Sequence, residues 1–282
     1  LHQTNTHHTS LLIQSSTNEG ATSFQDTGPG FKKMTFDGTN DYARKGSITN
    51  YRQGDDRGTI NAWVKIKDST SRSIFGVNND GSGTTNWYIY TDSSKRVAIY
   101  NQGASNWKTT SGVDFNRWIM ITVVQQDFTA PLVYVDGVLQ SVNAEIGSAS
   151  TTQWFGGIDS LDAVAVGVYE YGTTPSYGDY FEGQISQVAV WSASSGTDAL
   201  LTASQISAIY DLGPGGNVKT SYSTNLVDYW TMGNQIGEGT DTASTIYSQV
   251  TGGQDLTTAG SMAAPFAGHT LTATGTSMTH ST

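Results

Sequence analysis

The side chains that could do chemistry stand apart from one another. The five glutamates, Glu19, Glu145, Glu170, Glu182 and Glu238, are scattered singly along 282 residues. Cleavage of a glycosidic bond needs two carboxyl groups flanking it, about 5–5.5 Å or 6.5–9.5 Å apart. Glu170 and Glu182 could meet in space, but no spacing in the chain brings them together. There is no Gly-x-Ser-x-Gly elbow, phosphate loop, dinucleotide fingerprint or His-Glu-x-x-His pair. The chain has no cysteine, which removes disulfides, zinc–thiolate sites and thiol nucleophiles together. His2, His7 and His8 lie in a polar stretch, "LHQTNTHHTS", with no helix or hairpin to converge them on a metal. Catalysis is therefore not the expected activity.

Two other chemistries have candidates. Calcium takes oxygen ligands from loops. Asn78 and Asp80 in "VNNDGSG", with Asp159 and Asp162 in "GGIDSLD", are the candidate ligands. The competing role is local, because Asn and Asp favour turns through their own hydrogen bonds. The twelve-residue EF-hand pattern fails, since Gly76 stands where the first carboxylate belongs. Carbohydrate binding uses flat aromatic faces with polar neighbours. Trp87 and Trp107 lie near loop ends, Trp154 falls in "QWFGG", and Tyr169, Tyr171 and Tyr177 fall in "YEYGTTPSYGDY". These six are the candidate sugar platforms, with interior packing as the alternative for each.

Strands must position these residues. "GTINAWVKIKD" alternates, with Ile60, Ala62, Val64 and Ile66 on one face and Asn61, Trp63, Lys65 and Lys67 on the other. "RWIMITVVQQ" is denser in apolar residues, as a central strand would be. "PLVYVDGVLQ" reads as a hairpin around Asp136-Gly137. "YFEGQISQVAVWS" alternates through Phe181, Gly183 and Ile185 and, after a slip of one, Val188 and Val190. One helix is expected, at "LTASQISAIYDLG". Thr202 and Gln205 make a capping box, Ile206, Ile209 and Tyr210 share a face, and Gly213-Pro214 ends it. So short a helix must dock on the sheet beside it. Beyond Pro214, "NLVDYWTMG" reads as a strand and "TIYSQVTGGQDLTTAG" as a hairpin.

Composition agrees with many short strands joined by turns: 32 glycines, 13% charged residues and 36% hydrophobic residues. The net charge of -10 disfavours nucleic acid and anionic membrane surfaces as partners. Arg44, Lys45, Arg52 and Arg57 run against it and read as a solvated loop. No apolar run reaches the length of a membrane helix, and no signal peptide is visible. The expected organisation is an extended arm at 1–10, one domain at 11–261 with C-terminal strands at 225–258, and an extended polar tail at 262–282.

"FDGTNDY", "GTINAWVKIKD", "RWIMITVVQQ…LVYVDGVLQ" and "YFEGQISQVAVWS…LTASQISAIYDLG" occur in an order that resembles the laminin-G-like, or concanavalin A-like, jelly-roll family over about residues 30–213. In that family a strand of the pattern F-x-G-x-I-x-x-V-x-x-W leads into a helix of the pattern L-T-x-x-Q-I-x-x-x-Y. The resemblance implies an all-β fold, two antiparallel sheets face to face with one short helix. It also implies interior positions for Trp63, Trp118 and Trp191, and calcium at the sheet rim. The glucanases of this fold carry Glu-x-Asp-x-x-Glu on one strand, and no such run is present. Two readings stay open. In one, resting on the family's setting among phages and marine bacteria, the protein is a structural and surface-recognition subunit of a virus particle, assembled as a homo-oligomer with other subunits. In the other it is an extracellular, calcium-dependent module for surface glycans or adhesion. Both exclude nucleic acid and membrane as partners.

Overall fold

The computed structural model describes residues 33–68, 70–80, 86–101, 103–171, 176–233, 244–260 and 262, together with the backbone of 13–14, 23–26 and 270–272. In chain order the first strands are β1 (Ile13–Gln14), β2 (Ser23–Asp26), β3 (Met34–Asp37), β4 (Tyr42–Lys45), β5 (Arg57–Ile66), β6 (Arg72–Asn78) and β7 (Asn86–Thr91). They are followed by β8 (Arg96–Asn101), β9 (Ser105–Gly112), β10 (Ile119–Gln126), β11 (Leu132–Val135), β12 (Val138–Gln140) and β13 (Val142–Ile146). Then come β14 (Ala163–Val166), β15 (Tyr169–Tyr171), β16 (Ser176–Gly178), β17 (Glu182–Ala193) and the helix α1 (Ala203–Leu212). The last strands are β18 (Leu226–Trp230), β19 (Thr245–Ile246), β20 (Leu256–Ala259) and β21 (Thr270–Thr272).

Two antiparallel sheets form the sandwich. The seven-stranded sheet runs β12-β11-β10-β5-β17-β18, with β3 also paired to β17, and the nine-stranded sheet runs β13-β9-β8-β7-β6-β14-β4-β20-β19. The alternation in β5 decides its faces as expected. Ile60, Ala62, Val64 and Ile66 join the core between the sheets, and Trp63 joins a second apolar cluster outside the seven-stranded sheet. The slip in β17 is a β-bulge at Ser186 in its pairing with β5. It returns Val188 and Val190 to the face of Ile185, so all three sit in the inter-sheet core. Asp136 and Gly137 both have positive φ, 51° and 79°, which a tight hairpin of this hand requires.

The outer cluster explains the helix. Thr202 accepts the Gln205 amide at 3.3 Å, and the Gln205 side chain takes the Thr202 amide at 2.8 Å. Gly213, at φ 72°, ends the helix. Ile206 and Ile209 are buried against Met120, Ala189 and Trp191, and each such burial contributes about 2 kcal/mol. Tyr210 stacks on Trp63 at 5.6 Å. This face of the seven-stranded sheet is thus covered by the helix over β5 and β17.

The arm at 1–10 lies outside the described residues. The expected polar tail differs from the structure at two points. Met262 is 5% exposed and belongs to the inter-sheet core. Thr270–Thr272 is a strand paired with Ser23–Asp26, so the two ends of the chain share a three-stranded sheet. The four basic residues do not make a solvated loop. Arg44 lies on β4, and Arg44, Arg52 and Arg57 each hold a carboxylate of this chain. Among the described residues no helix is long and apolar enough to cross a membrane.

Candidate functional site

The alternation that buries one side of the nine-stranded sheet lines up tyrosines on the other. In β7, Trp87 and Ile89 face the core while Tyr88 and Tyr90 face outward; in β8, Val97 and Ile99 face the core and Tyr100 faces outward. Tyr88 sits 5.1 Å from Tyr90 and 5.0 Å from Tyr100, centroid to centroid. The next strands of the sheet present Gly76 and Ala165 at the same level, paired with each other. A Cβ on Gly76 would come within 3.3 Å of the Tyr88 Cβ. The β15–β16 hairpin lies against β6 and β7 here. Tyr169 stacks on Tyr88 at 4.4 Å, and Tyr171 continues the stack at 5.4 Å. From the other strand of the hairpin, Tyr177 stacks on Tyr42 of β4 at 4.7 Å. The result is a band of tyrosine rings across the outer face. Tyr171 is the most open of them, at 42% exposed.

Two ion-pair clusters flank the band. At the hairpin, Arg44 makes a bidentate pair with Glu170, at 2.7 and 2.8 Å, and also holds Asp80. Burial works against the charge on Arg44, but its two carboxylate partners hold the guanidinium firmly protonated. Burial pushes the Glu170 carboxyl up, against the pull of Arg44. At the far end, Arg96 and Lys108 share Asp92 and Glu145, at 2.7–3.3 Å. Polar groups also reach the rings themselves. Asn86 donates to the Tyr169 hydroxyl at 3.3 Å, and Asn106 to the Tyr90 hydroxyl at 3.1 Å. Burial raises the hydroxyl pKa of Tyr88, Tyr90 and Tyr169, so these rings stay neutral, hydrogen-bonding phenols.

The structure places the candidate aromatics in two groups. Tyr169, Tyr171 and Tyr177 are all on the band. Trp87 and Trp154 are 0% exposed and Trp107 is 9% exposed, so none of the three offers a face to a ligand. The reason is strand parity: Trp87 shares its face with Ile89, and its ring meets Trp154 at 5.5 Å and Phe155 at 5.8 Å inside the core. Trp107 is tied inward by its indole N–H, which donates to Thr152 at 2.8 Å. Trp63 and Trp191 are interior, as the resemblance implied, and Trp118 packs half-buried against the same outer cluster. The residues that sequence reasoning missed are Tyr42, Tyr88, Tyr90 and Tyr100. The signal was available in "NWYIY" and "RVAIY", where the apolar residue two places along marks which side faces in.

The calcium candidates do not form a cage. Asp162 accepts the Asp80 amide at 2.8 Å and donates its own amide to the Asn78 carbonyl at 3.0 Å, so these two loops do meet. The Asp80 carboxylate, however, is bound by Arg44, a cation standing where a metal would need the oxygen. Asp159 is engaged elsewhere, by Gln53 at 3.0 Å. Among the described residues no three His, Cys, Asp or Glu side chains converge to hold a metal ion. The carboxylates that might have worked as a pair are separately neutralised. Glu170 is held by Arg44, and Glu182 by Lys67 and Arg72.

A family model described as the concanavalin A-like lectin/glucanases superfamily matches residues 37–206, more than half of the chain. The chain belongs to that superfamily. Its fold recurs in a protein of Bacteroides ovatus assigned to carbohydrate binding, at TM-score 0.52 and 18% identity over 84% of this chain and 61% of that one. A heptameric pentraxin of Limulus polyphemus (TM-score 0.48, 15% identity, 66% of this chain and 84% of that one) is also similar. So is a Ruminococcus gnavus sialidase module bound to sialyllactose (TM-score 0.48, 12% identity, 64% of this chain and 96% of that one). A comparison with curated proteins found no match. For this superfamily member the sandwich, its two antiparallel sheets and its single described α-helix are those that the order of motifs implied.

Proposed function

We propose that this concanavalin A-like protein is a non-catalytic carbohydrate-binding module that takes its ligand on the tyrosine band of the nine-stranded sheet. The observation that carries the reading is the band itself: Tyr100, Tyr88, Tyr169 and Tyr171 in successive contact on an outer sheet face, with amides and paired charges at its margins. Sugar rings present C–H faces to aromatic rings and hydroxyls to polar neighbours, and the band offers both. The non-catalytic part is supported by Glu145, Glu170 and Glu182, each of which is held in an ion pair at a separate place. The fold shared with the Bacteroides ovatus protein is consistent with the same ligand class.

Recognition of a surface glycan outside the cell is what we retain from the two functional readings. No observation on the described residues favours the virus-particle subunit or the homo-oligomer over it. The test is a glycan array with the intact chain, followed by calorimetry on the best ligand with wild type, Tyr171→Ala and Tyr88→Ala. Loss of one stacked ring should weaken binding about tenfold. Equal affinity in all three proteins, or no glycan bound at all, would overturn the proposal.

A further inference from the structure

The opposite side of the sandwich carries a second groove, unrelated to the tyrosine band. It lies on the part of the seven-stranded sheet's outer face that precedes the helix, has a volume of about 510 Å³, and is lined by residues of β3, β5 and β17 with Lys67 and Asn116. That volume is within the range of small-molecule sites, about 300–1,000 Å³.

Two register rows cross its floor. In the first, Gln184 pairs with Thr35 on one side and Lys65 on the other. In the second, Glu182 pairs with Asp37, and Lys67 reaches across to it. The second row is internally satisfied. The Glu182 oxygens are taken by Lys67 and Arg72. One oxygen of Asp37 accepts the amides of Thr39, Asn40 and Asp41 at 2.7–3.3 Å. The first row is not. Among the described residues, the side chains of Thr35, Gln184, Lys65 and Asn116 have no hydrogen-bond or ion-pair partner, although the Asn116 backbone amide donates to the Ile66 carbonyl at 2.8 Å. Gly183, between the rows, is at φ 144°, and a Cβ there would strike the Lys65 carbonyl, so only glycine lets β17 approach β5 this closely.

We infer that this groove is a binding site for an anionic sugar, one bearing a carboxylate on a polyhydroxylated ring. Glu182 is ion-paired and Asp37 is held by backbone amides, so Lys65 is the one cation lining the groove without an ion-pair partner, and a ligand carboxylate is the group that meets it. Thr35, Gln184 and Asn116 supply a hydroxyl and two amides around it. On neighbouring strands such groups stand about 4.8 Å apart, a spacing that matches a ring rich in hydroxyls better than an apolar or purely ionic ligand. The inference stands independently of the tyrosine band, because the two faces share no residue.

The experiment is titration of the intact protein with trigalacturonate, its fully methyl-esterified form and a glutamate-rich peptide. Wild type is compared with Lys65→Gln, Gln184→Ala and Tyr171→Ala, each checked for an unchanged melting temperature. The expected result is binding of trigalacturonate that falls at least tenfold with esterification and with Lys65→Gln, falls severalfold with Gln184→Ala, and is untouched by Tyr171→Ala. No binding at millimolar ligand, equal binding of the ester, or insensitivity to Lys65→Gln would overturn it. Preference for the acidic peptide would overturn the ligand class, and loss with Tyr171→Ala would move the acidic sugar to the other face.

Discussion

Asp228 on β18 offers a test of how the C-terminal segment is fastened to the sandwich. Its carboxylate is 1% exposed. One oxygen accepts the Tyr51 hydroxyl at 2.8 Å; the other accepts the Ser248 hydroxyl at 3.0 Å and the Gln254 amide at 2.5 Å. One group thus ties the loop before β5 and the β19–β20 segment to the sheet, and β20 in turn pairs with β4, which carries Tyr42 and Arg44. Burial pushes the Asp228 carboxyl up from 3.8 to about 6, although all three hydrogen bonds favour the ionised form. Between those values the folded protein binds a proton that the unfolded chain does not, so the stability this carboxyl contributes is full below 3.8 and is lost as pH rises through about 6. The difference from 3.8 to about 6 corresponds to about 3 kcal/mol. Asp228→Asn keeps the shape and removes the titration. Urea unfolding of wild type and variant at half-unit steps from pH 4 to 7.5 isolates the effect, because Glu170 and Asp127 titrate in both proteins. The stability of wild type relative to the variant should drop by about 2.5 kcal/mol across that window. A flat or rising difference would refute the assignment of a buried, proton-linked carboxylate.

Other consequences follow from single contacts. Arg44→Ala strands Glu170, whose side chain is 2% exposed, and should cost about 3 kcal/mol in urea unfolding. Adding Glu170→Leu should return most of it. Thr202→Ala removes the cap of the only described α-helix and should cost about 1 kcal/mol by the same assay. Because Asp80 is committed to Arg44, a chelator should change neither melting temperature nor glycan affinity. A loss that calcium restores would contradict that commitment.

Most of the fold could be read from local patterns because each has a local cause. The β5 alternation, the bulge in β17 and the Thr202–Gln205 cap are decided within a few residues of chain. The Asp136-Gly137 hairpin is of the same kind. The site was harder. Tyr169, Tyr171 and Tyr177 stood out because they share one loop. Tyr42, Tyr88 and Tyr100 come from three strands and meet the hairpin only through sheet order, which no local pattern contains. The tryptophans misled for a physical reason. Large aromatic rings suit a sugar platform and a core equally well, and parity along the strand decides between them. The calcium candidates are brought together only in part. The loops do converge, but the cation that meets Asp80 is Arg44, some 36 residues away in sequence.

The central claim is that a glycan rests on the tyrosine band, and ring-labelled tyrosine NMR tests it most directly. The chain has 14 tyrosines. On titration with the best array ligand, the ring signals of Tyr88, Tyr100, Tyr169 and Tyr171 should shift together. Those of Tyr134 and Tyr229, buried on the helix side of the other sheet, should stay in place. Shifts confined to Tyr210 or to other rings away from the band would contradict the account.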